Sequence, residues 1–334
     1  MVDTLAIINT LRSNVKYLRT LEQLWIDPET VSIGNNAVTA RCRVFEWDGQ
    51  YTIKCYFRPK KNLATIYGSA YMPKELGVYR LCGKLEYIDI VLKPWVEGEP
   101  LDSYILDANS DFVALSQAFD TLACDILGKV YAHGDIKPEN IIVKPDGKME
   151  LIDFDGAWLP SMGYSPSEEF GTPAYRHPRR TQHHFAKFID DFPIALISTA
   201  LAALAHDSEG MRKYVQPDAT LFDPVSVVEH CDKAIEYTIQ LFEKMGDAAH
   251  YHVARGACRP YLSIYGLGEM LHYARTPLPN YVIKGAEPEQ HNGLWGYIKD
   301  DEWVVPPLYD SCDDPHNGIC RLYLGSTEIV IPTD

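Results

Sequence analysis

The amino-acid sequence predicts an α+β fold, and three features carry that expectation. Tyr51-Thr52-Ile53-Lys54-Cys55-Tyr56-Phe57 alternates in side-chain character after an Asp48-Gly49 turn, as a half-buried strand does. Ile141-Ile142-Val143 and Met149-Glu150-Leu151-Ile152 are short apolar runs flanking Lys144-Pro145-Asp146-Gly147-Lys148, the pattern of a β-hairpin closed by an Asp-Gly turn. By contrast, the run over 190–205 is apolar on all sides and too short to cross a bilayer, which predicts a helix buried in a core.

The other elements are taken in chain order. Leu5, Ile8 and Leu11, then Leu18 and Leu21, recur at helical spacing, so an N-terminal helix is expected to pack on the first strands. The same segment lacks a basic stretch and a small-residue cleavage site, and does not read as a signal peptide. Val78-Tyr79-Arg80-Leu81 reads as a strand. Residues 206–285 hold helical stretches, clearest over 225–245, where Val228, Ile235, Ile239 and Phe242 share a face. The tail returns to strands. Gly293-Leu294-Trp295-Gly296-Tyr297-Ile298 and Trp303-Val304-Val305-Pro306-Pro307-Leu308-Tyr309-Asp310 flank a polar turn, and further strands are expected at 318–322 and 328–331. A chain of 334 residues with 46% hydrophobic content can bury a large core and divide into two or three units.

The densest chemistry lies in His133-Gly134-Asp135-Ile136-Lys137-Pro138-Glu139-Asn140 and, after the hairpin, Asp153-Phe154-Asp155-Gly156. Phosphoryl transfer from a metal nucleotide needs a carboxylate for the acceptor hydroxyl, cations against phosphate oxygens, and hard oxygen ligands for magnesium. Asp135 suits the first task, Lys137 the second, and Asn140 with Asp153 the third. The hairpin makes neighbours of the residues before its first strand and after its second, so Asn140 and Asp153 are expected to meet.

These residues resemble the catalytic loop and D-F-G motif of the eukaryotic-type serine/threonine protein kinases, in a divergent, bacterial form. Gly171-Thr172-Pro173-Ala174-Tyr175-Arg176-His177-Pro178-Arg179 is similar to the end of that family's activation segment. Asp190, with Asp191 close second, matches the aspartate that holds the catalytic loop from behind. The resemblance implies a bilobal kinase-like fold, with a helix and small antiparallel N-lobe over 1–96, a helical C-lobe over 97–285 and a small β segment over 286–334. It also implies ATP and Mg2+ as cofactors. Catalysis would fall to Asp135, Lys137 and Thr172, with Thr172 touching Asp135 and Lys137. Nucleotide binding would fall to Lys54, to the Pro94 carbonyl and Val96 amide facing adenine, and to Asn140 and Asp153, which also hold the metal. Lys93 would sit where an apolar side chain usually gates the pocket.

Several positions depart from the family. Where a glycine-rich loop should cover the phosphates, Ser32-Ile33-Gly34-Asn35-Asn36-Ala37-Val38-Thr39-Ala40 offers one glycine. No acidic residue follows Lys54 until Glu75, which becomes the candidate partner of that lysine. Gly134 replaces the arginine that in many members receives an activation-loop phosphate, so no phosphorylation of Ser161, Ser165, Ser167 or Thr172 is expected to be required. Asp155 stands for the motif glycine and Arg179 for the usual glutamate.

With 31 Lys plus Arg against 46 Asp plus Glu, the net charge of -15 disfavours nucleic acid and anionic membranes and attracts a basic partner. The eight cysteines lack C-x-x-C spacing, which favours free thiols in a reducing, cytoplasmic setting over a zinc site. His183-His184 and His250-Tyr251-His252 have side chains that point apart on a helix, which argues against metal binding. The tail resembles one unit of the bacterial WG repeat, which implies either a surface for a partner protein or a cap over apolar kinase surface. The overall reading is ATP- and magnesium-dependent transfer to a protein hydroxyl. A small-molecule phosphotransferase of the aminoglycoside or choline kinase type, suggested by His133-Gly134-Asp135, and a nucleotide-binding pseudokinase scaffold remain open.

Overall fold

The computed structural model describes residues 4–80, 82–275, 285–316 and 318–332. The chain divides into two compact units, Met1–Glu97 and Gly98–Asp334. Both helix and strand are abundant, so the α+β expectation holds.

The first unit is a seven-stranded antiparallel sheet with a helix on each face. Its elements are α1 (Thr4–Arg12), β1 (Tyr17–Leu18), β2 (Leu24–Ile26), β3 (Ser32–Ile33), β4 (Ala37–Val44), β5 (Tyr51–Tyr56), α2 (Leu63–Tyr67), β6 (Tyr71–Tyr79) and β7 (Leu85–Pro94). The strand order is β1-β6-β7-β5-β4-β2, with β3 paired to β4. Ile53 and Cys55 point into a core shared with Ile7, Ile8 and Leu11 of α1. On the other face Leu63 of α2 packs with Ala37, Tyr56 and Val91.

The N-terminal helix differs in phase and length from its expectation. The buried stripe is Ala6, Ile7, Ile8 and Leu11, while Leu5 is 62% exposed. Leu18 belongs to β1, which pairs with β6 through Leu18 and Leu76. Pairing with an open sheet edge satisfies backbone groups that a longer helix would have left to solvent.

The second unit begins with β8 (Glu99–Pro100), α3 (Leu101–Leu106) and α4 (Phe112–Gly128). The predicted hairpin comes next as β9 (Ile141–Val143) and β10 (Met149–Leu151), with Leu151 opposite Ile141 and Gly147 at φ 80 in the turn. Then come α5 (Asp191–His206), α6 (Ser208–Arg212), α7 (Pro224–Val228), α8 (Lys233–Met245), α9 (Ala248–Ala257) and α10 (Leu267–Ala274). Contrary to the expectation that the run is too short to cross a bilayer, the preceding turn extends it to Lys187–His206, long and apolar enough to do so, but 89% of its most apolar 18-residue stretch is buried inside the protein. Its Phe192, Ile194, Leu196, Ile197, Leu201 and Leu204 all lie in the core. Each contributes about 1.5–3 kcal/mol relative to exposure.

The helix expected over 225–245 is two helices. The chain breaks between α7 and α8, where His230 takes φ 59 and Asp232 caps α8 by accepting from the Ile235 amide at 2.9 Å. Such a cap satisfies an orphan helix donor and starts a new helix in place of continuing the old one.

A buried charge network ties three helices together. Asp120 of α4 accepts from Ser198 Oγ of α5 at 2.6 Å and lies 3.0 Å from His250 Nε2 of α9. The other ring nitrogen of His250 lies 2.8 Å from Asp247, which also bonds His206. Burial works against a charge on His250, but Asp247 and Asp120 outweigh it and push its pKa up to about 10. His250 thereby joins α4 to α9, and Asp247 joins it to His206 of α5.

The tail forms β11 (Glu287–His291), β12 (Leu294–Lys299), β13 (Glu302–Tyr309), β14 (Ser311–Cys312), β15 (Ile319–Leu324) and β16 (Thr327–Pro332), in two three-stranded sheets. Tyr297, Val305, Tyr309 and Leu322 join the same core cluster as the helices. A Cβ on Gly296 would meet Val305 O at 2.3 Å, so the backbone of β13 requires glycine there.

Candidate active site

Residues 133–140 are fixed by buried groups before any ligand is considered. Asp190 ends the 3₁₀ turn Lys187–Asp190 that leads into α5, and its carboxylate accepts from the amides of His133 and Gly134, the latter at 2.8 Å. Burial raises the Asp190 pKa, against the pull of His133 and the two backbone donors. Of the two aspartates expected to brace this loop, Asp190 does so. Asp191 bonds the Ile264 amide at 2.9 Å instead.

His133 links the loop to the segment after the hairpin. One ring nitrogen lies 2.8 Å from Ile152 O, and the ring meets Phe154 edge-on at 4.6 Å between centroids. The Ile152 amide donates to Asn140 O at 2.9 Å, which brings Asn140 beside the residue preceding Asp153. Asp153 is exposed and takes φ 61, a conformation unfavourable for most side chains but tolerated by aspartate.

Asp135 stands at the centre of these contacts. Its Oδ1 accepts from the Thr172 amide at 2.6 Å, and Asn140 Nδ2 donates to its backbone oxygen at 2.9 Å and reaches Oδ2 at 3.4 Å. The expected contact of Thr172 with Asp135 is made through the Thr172 backbone amide. Lys137 has Glu139 as its ion-pair partner, with Nζ 3.9 Å from Oε1, rather than Thr172. Asn140 Oδ1 accepts no hydrogen bond among the described residues. An Asn140 amide oxygen and an Asp153 carboxylate are the kind of hard oxygen donors that magnesium takes, one or two from protein and the rest from phosphate and water. Among the described residues, no group of three or more His, Cys, Asp or Glu is placed to hold a metal ion.

Gly134 is the tightest point of the loop. At φ 82 its Cβ would lie 2.0 Å from Gly156 O, so any side chain at 134 would force the Gly156 backbone to shift. Gly171 closes on the loop from the other side, with its own Cβ position 2.7 Å from Gly134 O. Sequence reasoning does not single out Arg180, whose Nη1 donates to Gly134 O at 3.1 Å. A missing arginine at Gly134, with a second arginine after Arg179, is the available signal.

The nucleotide residues expected in the first unit lie on β5 and at and just after the end of β7. Lys54 is half-buried on the face of β5 covered by α2, level with Thr39 of β4 and Val91 of β7, and its ammonium lies 5.5 Å from the Tyr56 ring centre. Pro94 ends β7, Trp95 donates to Gln50 O at 2.8 Å, and the Val96 amide makes no hydrogen bond among the described residues. Lys93 lies over the Tyr67 ring.

Glu75 serves a different purpose from the one expected. It is 2% exposed, and its carboxylate accepts from the amides of Arg19, Thr20 and Leu21 and from the Thr20 hydroxyl at 2.6 Å. Lys54 shares its row with Val91 and Tyr71, whereas Glu75 lies within the irregular stretch of β6 between Met72 and Leu76. A carboxylate with four such donors is held at the 19–21 turn. Helix α2, Leu-Ala-Thr-Ile-Tyr, has no acidic residue to replace it.

No protein-family model matches the chain. It is similar to the serine/threonine-protein kinase PEPKR2 of Arabidopsis thaliana, with 35% identity over 78 residues. That stretch is 23% of this chain and 16% of the plant protein, so the likeness is to a small part of a kinase.

Proposed function

We propose that the protein is an ATP- and magnesium-dependent phosphotransferase acting on a protein hydroxyl. The observation that carries this reading is the bonding of Asp135. One carboxylate oxygen is oriented by the Thr172 amide, the backbone beside it is held by Asn140, and Asp190 braces the loop from its buried side. A carboxylate fixed in this way, and still partly accessible, can orient an acceptor hydroxyl and take its proton. The partial likeness to a serine/threonine kinase supports the same reading.

In this reading Lys137 faces the transferred phosphate, and Asn140 and Asp153 hold magnesium, which when bound neutralises charge on the phosphate oxygens. Lys54, the Pro94 carbonyl and the Val96 amide bind ATP. Thr172 positions Asp135 through its amide. The net charge of -15 favours acceptor proteins of basic character.

Incubation with labelled ATP, magnesium and a cell lysate tests the proposal. A labelled protein band that disappears with Asp135→Asn is expected. Label confined to small molecules would instead point to a small-molecule phosphotransferase, and nucleotide binding without transfer to a scaffold.

A further inference from the structure

Arg180 is a buried cation that the proposed chemistry leaves without a task. It is 8% exposed, and its Nη2 has no hydrogen-bond partner among the described residues. Burying a guanidinium is costly unless nearby groups compensate. Here partial compensation comes from the 133–140 stretch and Asp190. Nη1 donates to Gly134 O at 3.1 Å, and although burial, and to a lesser degree Arg176, lower the Arg180 pKa, the Asp190 and Asp135 carboxylates oppose that shift. The position of a Cβ on Gly171 is 3.4 Å from Nη1 and 3.3 Å from Asp135 Oδ1, so one cation lies against both sides of the junction between the loop and Gly171-Thr172.

Two facts argue that this cation is built in and not waiting for a phosphate. A larger residue at Gly134 would have to displace the backbone of Gly156, whose oxygen occupies the space of its side chain. Ser167, a candidate phosphorylation site in the intervening segment, is buried, with its amide donating to Gln182 O at 2.9 Å and its hydroxyl bonded to Glu169 O.

We propose that Arg180 is a positioning residue, holding Gly134, Asp135 and Thr172 in their working arrangement by an intrinsic charge, with no phosphorylated residue required. The proposal rests on the phosphotransfer reading for its effect on rate, but its effect on loop order stands apart from that reading.

Arg180→Met and Arg180→Lys in the full chain test it. Methionine keeps most of the unbranched stem without charge or donor. Lysine keeps both, and one donor suffices because only Nη1 is engaged. Arg180→Met is expected to lower turnover by at least about tenfold with KM for ATP changed less than about twofold, and to speed hydrogen exchange at the Gly134 and Thr172 amides. Arg180→Lys is expected to restore slow exchange and to bring turnover within about threefold of the parent protein. Unchanged turnover and exchange in Arg180→Met overturns the proposal, as does equal loss in both variants, which assigns Arg180 to packing alone. Should Arg180→Met fail to fold, exchange in Arg180→Lys decides, slow supporting and fast opposing. Absence of transfer by the parent protein, with the exchange effects present, rejects the phosphotransfer reading and leaves the positioning role.

Discussion

The loop over 133–140 and the hairpin over 32–37 each place a glycine where phosphate chemistry is expected, yet they are built differently. Gly134 is locked, with its amide on Asp190, its oxygen on Arg180 and its side-chain space filled by Gly156 O. Gly34 is a plain hairpin residue whose amide donates to Ala37 O at 2.9 Å and whose Cβ position has only that oxygen nearby, at 3.5 Å. The same contrast extends to the carboxylates. Asp190 is buried to brace the 133–140 loop, while Glu75 is buried to hold the 19–21 turn. The difference teaches that a glycine or an acid in the right stretch of sequence does not by itself make a site. What matters is which backbone groups it is bonded to.

The largest expected effect concerns the helices that carry the braced loop. Replacing His250 by leucine leaves Asp120 and Asp247 buried without their shared cation, at a cost of about 3–5 kcal/mol, seen as a lower midpoint in thermal or urea unfolding. The pH dependence gives the sign. His250 titrates at about 10 in the fold against an ordinary 6.5, so its contribution is complete below pH 6.5 and is lost as pH rises toward 10. Asp247 is held below the ordinary carboxylate range by His250 and His206, against the effect of burial, so its contribution is lost on acidification. The parent protein should therefore lose stability between pH 6.5 and 10, and His250→Leu should lack that part of the decline. An identical alkaline decline in both proteins would reject the network as its source.

A smaller effect is expected at Gly134. Alanine there must relieve a contact with Gly156 O and adopt positive φ, which costs about 1–3 kcal/mol and displaces Asp135 enough to lower turnover about a hundredfold. Gly34→Ala is the matching control for the hairpin, with an expected stability change within about 0.5 kcal/mol. Equal losses at the two glycines would erase the comparison.

Much of this architecture is legible from residue patterns because the relevant information is local. The hairpin of β9 and β10 follows from two apolar runs and Asp146-Gly147, and the burial of α5 from an apolar run with no polar face. Asp190 can be identified because its motif lies in one short stretch. The rest depends on contacts distant in sequence. Glu75 meets Arg19, Thr20 and Leu21 across paired strands, and Arg180 meets Gly134 across the whole intervening segment. Neither contact leaves a spacing that periodicity can detect. The break before α8 depends on Asp232 capping the helix, a signal hidden within an otherwise continuous apolar stripe.

The central claim is that a fixed Asp135 directs phosphoryl transfer. Asparagine at 135 keeps an oxygen for the Thr172 amide but cannot take a proton, so the comparison isolates the chemistry from the fold. Phosphate incorporation from labelled ATP, measured for purified parent and Asp135→Asn proteins with the same acceptor and magnesium, is the direct measurement. The account predicts a loss of about a hundred- to ten-thousandfold with an unchanged unfolding midpoint. Equal incorporation by the two proteins would contradict it.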